Sequence, residues 1–519
     1  MLRIREVKIP ISLDNKEYIL KKISKLLNLK KEEIIEYKIL KKSIDARNKN
    51  NIMFIYELAL NLKNENKIHL TKNISKYIEN KYEFIKNKEL NCRPIIVGSG
   101  PAGLFCAYML ALTGCNPIIL ERGEKIEDRV KTVENFFKTN KLNPESNIQF
   151  GEGGAGTFSD GKLNTLTKDK LNRHKKVFEI FIENGAPSEI MYLNKPHIGT
   201  DILRKVIINI RNKIISLGGE FKYNSKVTNL IIDNNKIKGV VVNNNEKILS
   251  DIVVLAIGHS ARDTFYMLND NNIKMKPKNF AIGLRIEHPR EMIDKSQYGD
   301  NYKLLDPASY KLTYTTKDNR SVYSFCMCPG GFVVNASSEE NRLCINGMSN
   351  YKRDEVNSNS AIVVNITTAD FYNKLFGGIE LQRKLEEKAY IEGKGNIPIQ
   401  LYKDFKNNVK TTELGEILPN TKGNYTLSNL NNILPKYISD SIKEALPVFG
   451  KKIKGFDRED SILLGIEART SSPVVIERDE YLTSSVEGLY PCGEGAGYAG
   501  GITTAAIDGI KVAEAIVKH

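Results

Sequence analysis

Apolar positions follow helical and alternating patterns at the start of the chain and form short unbroken runs further on. Leu2 to Ile11 reads as a strand through Ile4, Val7 and Ile9, and Glu17 to Leu29 carries Tyr18, Ile19, Ile23, Leu26 and Leu27 at helical spacing. Ile34 to Leu40 and Ile52 to Leu62 read as two further strands. These elements predict a small α+β unit over residues 1–90, of ferredoxin-like type, followed by a polar connector from Lys76 to Asn91.

At Pro94 the pattern changes. Ile95-Ile96-Val97 is a buried-type strand, Gly98-Ser99-Gly100-Pro101-Ala102-Gly103 follows, and an apolar helix runs on to Gly114. Pro117 to Leu120 is the next strand, and Glu121 ends it. A β-α-β unit with three spaced glycines and a terminal acid is a dinucleotide-binding pattern. Gly98 permits the tight turn, Gly100 lets a pyrophosphate approach the backbone, and Gly103 lets helix and strand pack closely. The first helical amides face the phosphate charge, and Glu121 is expected to accept from a ribose hydroxyl.

The same glycine spacing recurs at Gly495-Ala-Gly-Tyr-Ala-Gly500, between a strand-like Leu489 to Cys492 and a helical Ile502 to Val517. Only 19 residues follow Gly500, too few for another strand and its acid, so a second such unit is not expected. Between the two ends, Phe221 to Val227, Leu230 to Ile232 and Ile237 to Val242 read as strands, with a turn at Asp233-Asn234-Asn235. Asp251 to Gly258 reads as a buried strand. Gly151 to Gly161 holds five glycines in eleven residues together with Phe158, and Lys162 follows. This marks a loop whose backbone approaches another group closely.

Composition narrows the class. With 519 residues, at about 150 per domain, two to four domains are expected. The longest apolar run, Leu104 to Leu112, has nine residues against the ~20 of a membrane span, and Met1-Leu-Arg-Ile-Arg-Glu does not open a secretory signal. Seven scattered cysteines without a Cys-x-x-Cys pair argue for a reducing, cytoplasmic setting, and no metal site is expected. Of the net charge of +15, +9 lies in residues 1–92, which hold 18 Lys and 3 Arg against 12 acids. Such a module attracts nucleic acid or another polyanion, or is simply a solvated Lys-rich surface; the second reading is preferred.

Four segments together resemble a known group. They are Val97 to Gly103, Phe150 to Leu163, Ala256-Ile-Gly-His-Ser-Ala-Arg-Asp263 and Tyr490 to Gly501. They are similar to the bacterial NAD(P)/FAD-dependent dehydrogenase family, distantly like the geranylgeranyl-reductase type of flavoprotein. Ile257 departs from the Ala-Thr-Gly usual in FAD enzymes. The resemblance implies an α/β, Rossmann-like FAD/NAD(P)-binding domain with an inserted α+β substrate domain. The FAD-binding domain is then expected at 91–263 and 461–519, with the inserted domain at 264–460. It implies FAD, with NAD(P)H as a transient co-substrate or a redox protein as electron partner, and an unknown small-molecule substrate. The expected FAD-binding residues are Gly98, Gly100, Pro101, Ala102, Gly103, Glu121, Arg122, Gly154, Gly161, Lys162, Val227, Ala256, Gly258, Gly493, Glu494, Gly501 and Ile502.

Candidates for chemistry are His259, His197, Cys328 and Arg469. Histidine moves protons near neutral pH, although a lone histidine is as readily structural. Asp201 reads as an N-cap. Cys326 and Cys328, two apart on a strand, share one face and can turn both thiols to a flavin, or be two structural cysteines. Arg285-Ile-Glu287-His288 and Glu467-Ala-Arg469 suit an anionic substrate or domain-joining salt bridges equally. The working expectation is a cytoplasmic FAD-dependent oxidoreductase; the rival is an RNA-associated flavoprotein using its basic module.

Overall fold

Three apolar triplets, Ile95–Val97, Ile118–Leu120 and Val253–Leu255, are buried at every residue, as strands covered on both faces must be. In the computed structural model, which describes residues 1–84, 90–165 and 169–518, they form the centre of a parallel sheet. Its order is Leu489–Pro491, Val253–Leu255, Ile95–Val97, Ile118–Leu120, Glu220–Lys222. The tail strand therefore closes the sheet that the first fingerprint opens. The helix Pro101–Leu112 is buried at every position from Ala102 to Ala111. It lies between the sheet and the last helix, Ile502–Lys518, where a Cβ on Gly509 would strike the Ala102 carbonyl.

Phe221 to Val227 is not one strand. Asn224, at φ 52°, breaks it: Glu220–Lys222 edges the parallel sheet, and Val227–Asp233 joins a separate antiparallel sheet with Lys236–Val242 and Glu246–Leu249.

The inserted unit is built on seven strands, in the order Thr313–Thr315, Ser321–Cys328, Asn357–Ile366, Phe280–Pro289, Ile462–Glu467, Ile397–Leu401, Tyr425–Leu427. Ile462–Glu467 belongs to this sheet, so the expected boundary at 460 falls too early. The chain re-enters the nucleotide side at Val474–Ile476, which pairs with Met275–Pro277. Phe280, Ile282, Leu284 and Ile286 enter the largest apolar core, while Arg285 and Glu287 lie on the other face of their strand.

The first module orders its strands Ile34–Asp45, Met53–Leu62, Leu2–Pro10, Ile74–Lys76, all antiparallel. This is a ferredoxin-like order without the second helix, whose place is taken by the short turn Glu65–Lys67. Ile19, Ile23 and Leu27 of the helix Lys16–Leu27 meet the sheet, and Asn15 caps the helix by accepting from Tyr18 N. Several of the module's cations are paired, among them Lys31 with Glu17, Lys38 with Glu79 and Lys42 with Asp14. Part of the expected polar connector, 85–89, lies outside the described residues. Among the described residues no helix is long and apolar enough to cross a membrane, and no group of three His, Cys, Asp or Glu is placed to hold a metal.

Candidate active site

Where the parallel strands end at their carboxyl side, a cavity of about 740 Å³ opens between the sheet and the inserted unit. That is the place where open α/β sheets bind ligands, and the volume suits a cofactor or small molecule (roughly 300–1,000 Å³). Fifteen of the seventeen expected FAD residues line it; Gly103 and Gly493 sit behind the wall. Gly103 lets the helix approach, because a Cβ there would run into the Gly98 carbonyl. A Cβ on Gly493 would lie 2.6 Å from that of Ala102. Gly98, at φ +101°, holds a backbone conformation that other residues resist, and its Cβ would strike the Ala256 carbonyl. Gly100 is different: its φ is −71°, and a Cβ there would meet only Gly154 Cα, at 3.8 Å. No side chain caps the helix that Gly100 begins, so its first amides face the cavity.

The glycine-rich loop is folded around one cation. Arg129 is fully buried, and its guanidinium donates to the carbonyls of Asn147 (2.9 Å), Ile148 (2.9 Å), Gly151 (3.2 Å), Glu152 (2.6 Å) and Gly154 (3.0 Å). Burial lowers its pKa to about 9. The loop thus held brings Gly154, at φ +61°, against the fingerprint, where a Cβ would lie 3.1 Å from Gly100 Cα.

Glu121 does not present a free carboxylate. One oxygen accepts from Ser99 N (2.9 Å) and Ser99 Oγ (2.7 Å), the other from Gly123 N (2.9 Å) and Gly151 N (3.0 Å). Its acceptor positions are occupied by the chain's own donors, so it staples fingerprint to loop rather than standing open to a ribose. Arg122 is likewise engaged, paired with Glu145 (2.7 Å) and Asp263 (2.9 Å) and stacked 4.0 Å over Phe150.

The four candidates for chemistry separate. His259 lines the cavity, and its Nδ1 lies 3.0 Å from Glu494 Oε1. Its Nε2 is buried without a hydrogen-bond partner among the described residues. His197 is off the cavity: its Nε2 meets the Tyr351 carbonyl at 3.0 Å and its ring stacks on Tyr351, while burial lowers its pKa. Arg469 reaches the wall, but Glu386 holds its guanidinium through two 2.8 Å bonds and also binds Arg262 at 2.7 Å. It is a buried bridge between units, not a free anion receptor. Asp201 is no N-cap; the helix Gly199–Ser216 begins before it, and its carboxylate accepts from Tyr351 N at 2.8 Å.

Cys328 is fully buried, and Cys326 takes the cavity wall instead. The reason is a bulge. Pairing with Asn357–Ile366 shifts between Phe325 and Cys328, and Cys326 has φ 45°. In plain alternation both thiols would follow Val322 into the core; the bulge sends Met327 there and returns Cys328 to the face of Phe325. The adjacent Cys328 thiol, with Lys162 and Arg285 nearby, holds Cys326 below the ordinary thiol range, while the same closeness and burial push Cys328 up. Lys162 Nζ lies 3.8 Å from Cys328 Sγ and 3.1 Å from Asp160. Asn346, which the pattern of residues did not single out, and Glu467 complete this wall, with Glu467 in a salt bridge to Arg285 at 3.0 Å.

These features fit FAD. Two helix starts aim at one cavity, no side chain blocks Gly100, and the buried Nε2 of His259 points to a polar ligand. The fold and site define an FAD-dependent flavoprotein with an interrupted nucleotide-binding sheet. Residues 279–470 match the family described as FAD-dependent protein, C-terminal domain-like, and residues 1–61 match a domain of unknown function. An uncharacterized protein from Clostridium beijerinckii is 49% identical over 531 residues, covering 100% of this chain and 99% of its own length. The chain belongs to the same family of FAD-dependent proteins, the one its motifs resemble. Solved structures similar to it include L-proline dehydrogenase from P. horikoshii, at 14% identity over 82% of this chain and 93% of that one, with a TM-score of 0.35. A geranylgeranyl bacteriochlorophyll reductase-like protein from Thermoplasma acidophilum shares 12% over 81% and 76%, with a TM-score of 0.35.

Proposed function

We propose that this chain is an FAD-dependent oxidoreductase that moves a hydride to or from a small-molecule substrate. The amides of Gly100 and Ala102, the loop at Gly154, and Ala256, Gly258 and Glu494 would hold the cofactor. When bound, FAD supplies the two-electron chemistry; the protein orients it and tunes its surroundings. The observation that carries the reading is His259. Glu494 fixes its Nδ1, which leaves the buried Nε2 as the unpartnered proton donor or acceptor of a side chain that lines the cavity. Lys162, with Asp160 buried beside it, is a cation on the same wall, held above the ordinary lysine range by Asp160 against the effect of burial. Such a site stabilises negative charge developing on a bound substrate. A nicotinamide docking transiently, or a redox protein, would exchange electrons with the cofactor.

The test is direct. The purified protein should be yellow and release FAD on denaturation, and anaerobic mixing with NADH or NADPH should bleach it. His259→Gln should keep FAD and slow turnover about 10²- to 10⁴-fold. A colourless protein refutes the reading; a yellow one that neither nucleotide bleaches refutes the nicotinamide route alone.

A further inference from the structure

Seven cysteines are free, and two differ from the others. Cys106, Cys344 and Cys492 are enclosed, and burial raises each of them. Cys326 stands on the cavity wall, and Cys328 lies beneath it. Cys326 holds a left-handed backbone, φ 45°, which a non-glycine residue adopts only at a cost and tends to keep where it serves a site. Here it goes with the bulge that sends Met327, in place of the two cysteines, into the core. Arg285 fixes the bulge by donating to the Cys326 carbonyl at 3.2 Å and to Asn359 Oδ1 at 2.7 Å, on the strand that pairs with it. The Cys328 thiol donates to the Cys326 carbonyl at 3.4 Å. A Cβ on Gly347 would strike the Arg285 guanidinium and lie 2.7 Å from Cys328 Sγ, so glycine there leaves room for both.

Thiolate, adjacent thiol and nearby cations are the parts of a thiol–disulfide couple. We propose that Cys326 and Cys328 form a redox-active dithiol that closes to a disulfide as it delivers two electrons to FAD. The step balances. Cys326 reacts as thiolate; the S–H bond of Cys328 breaks and the S–S bond forms. The electron pair and the Cys328 proton go to FAD, giving FADH⁻, and the reverse step reopens the pair. Lys162 and Arg285 hold the thiolate's charge while the pair is open. The inference rests on the FAD-dependent reading of the cavity and adds a second electron store to it.

The experiment is an anaerobic dithionite titration of the oxidised holoprotein, with thiols alkylated under denaturing conditions and the 326–328 peptide weighed before and after. The wild type should take up four electrons per FAD, and its peptide should pass from disulfide to doubly alkylated. Cys326→Ser and Cys328→Ser should retain FAD and take up two. A yellow wild type that takes up two electrons, with both thiols alkylated from the start, overturns the dithiol and leaves the FAD reading standing. A colourless protein overturns both. The wild-type stoichiometry decides the matter even if a variant fails to fold.

Discussion

Gly98 and Gly100 sit two residues apart in one turn, and the same substitution should damage different things at each. At Gly98 alanine inherits φ +101° and drives its Cβ into the Ala256 carbonyl. The left-handed backbone costs about 1–2 kcal/mol and the overpacking about 1–3, so roughly 2–5 kcal/mol of fold stability is at stake. At Gly100 the backbone is ordinary and the methyl finds only Gly154 Cα, at 3.8 Å. Apoprotein stability should then change by no more than about 1 kcal/mol, the difference between glycine and alanine at an N-cap. The methyl would, however, occupy space that the second fingerprint glycine leaves for a pyrophosphate to approach the backbone. Losing one hydrogen bond to a charged phosphate costs about 1.5–3 kcal/mol, or roughly 10- to 150-fold in FAD affinity. Denaturant midpoints of the two apoproteins and FAD titrations followed by flavin fluorescence separate the effects. If Gly100→Ala lowers the apoprotein midpoint as much as Gly98→Ala, or binds FAD as the wild type does, this reading of the turn is wrong.

Arg129→Lys replaces five donors by three, so the loop carbonyls at 147–154 cannot all be served. The variant should purify with substoichiometric FAD, and full flavin content would show that the loop does not depend on the guanidinium. Glu287 is fully buried, and burial raises its pKa to about 8. A carboxyl raised in the folded state disfavours folding increasingly as pH climbs from about 4.3, its unfolded value, to 8. Glu287→Gln should therefore gain on the wild type at pH 9, with the difference closing towards pH 4; denaturant midpoints that differ equally at pH 4.5, 7 and 9 would refute this.

Much of the nucleotide side was legible because its signals are local. Apolar triplets between glycines specify buried parallel strands, and the spacing from Gly98 to Gly103 is a property of one turn. Arg129 left a local trace that passed unread: with Ile126, Val133 and Phe136 it shares the buried stripe of the helix Ile126–Thr139. A charge on such a stripe must find partners. Glu121 shows the opposite failure, since its position was evident but its partner Gly151 comes from thirty residues further on.

By itself, the order of residues determined a dinucleotide fingerprint, a second glycine turn towards the tail and the kinds of element between them. Local backbone geometry and hydrophobic period are enough for that. Tertiary structure decided that the tail strand pairs beside Val253–Leu255, that Arg469 is consumed by Glu386, and that Cys326 rather than Cys328 meets the cavity. Those outcomes depend on strand pairing and on charges more than 80 residues apart, or on a single-residue bulge that reverses which face a side chain takes.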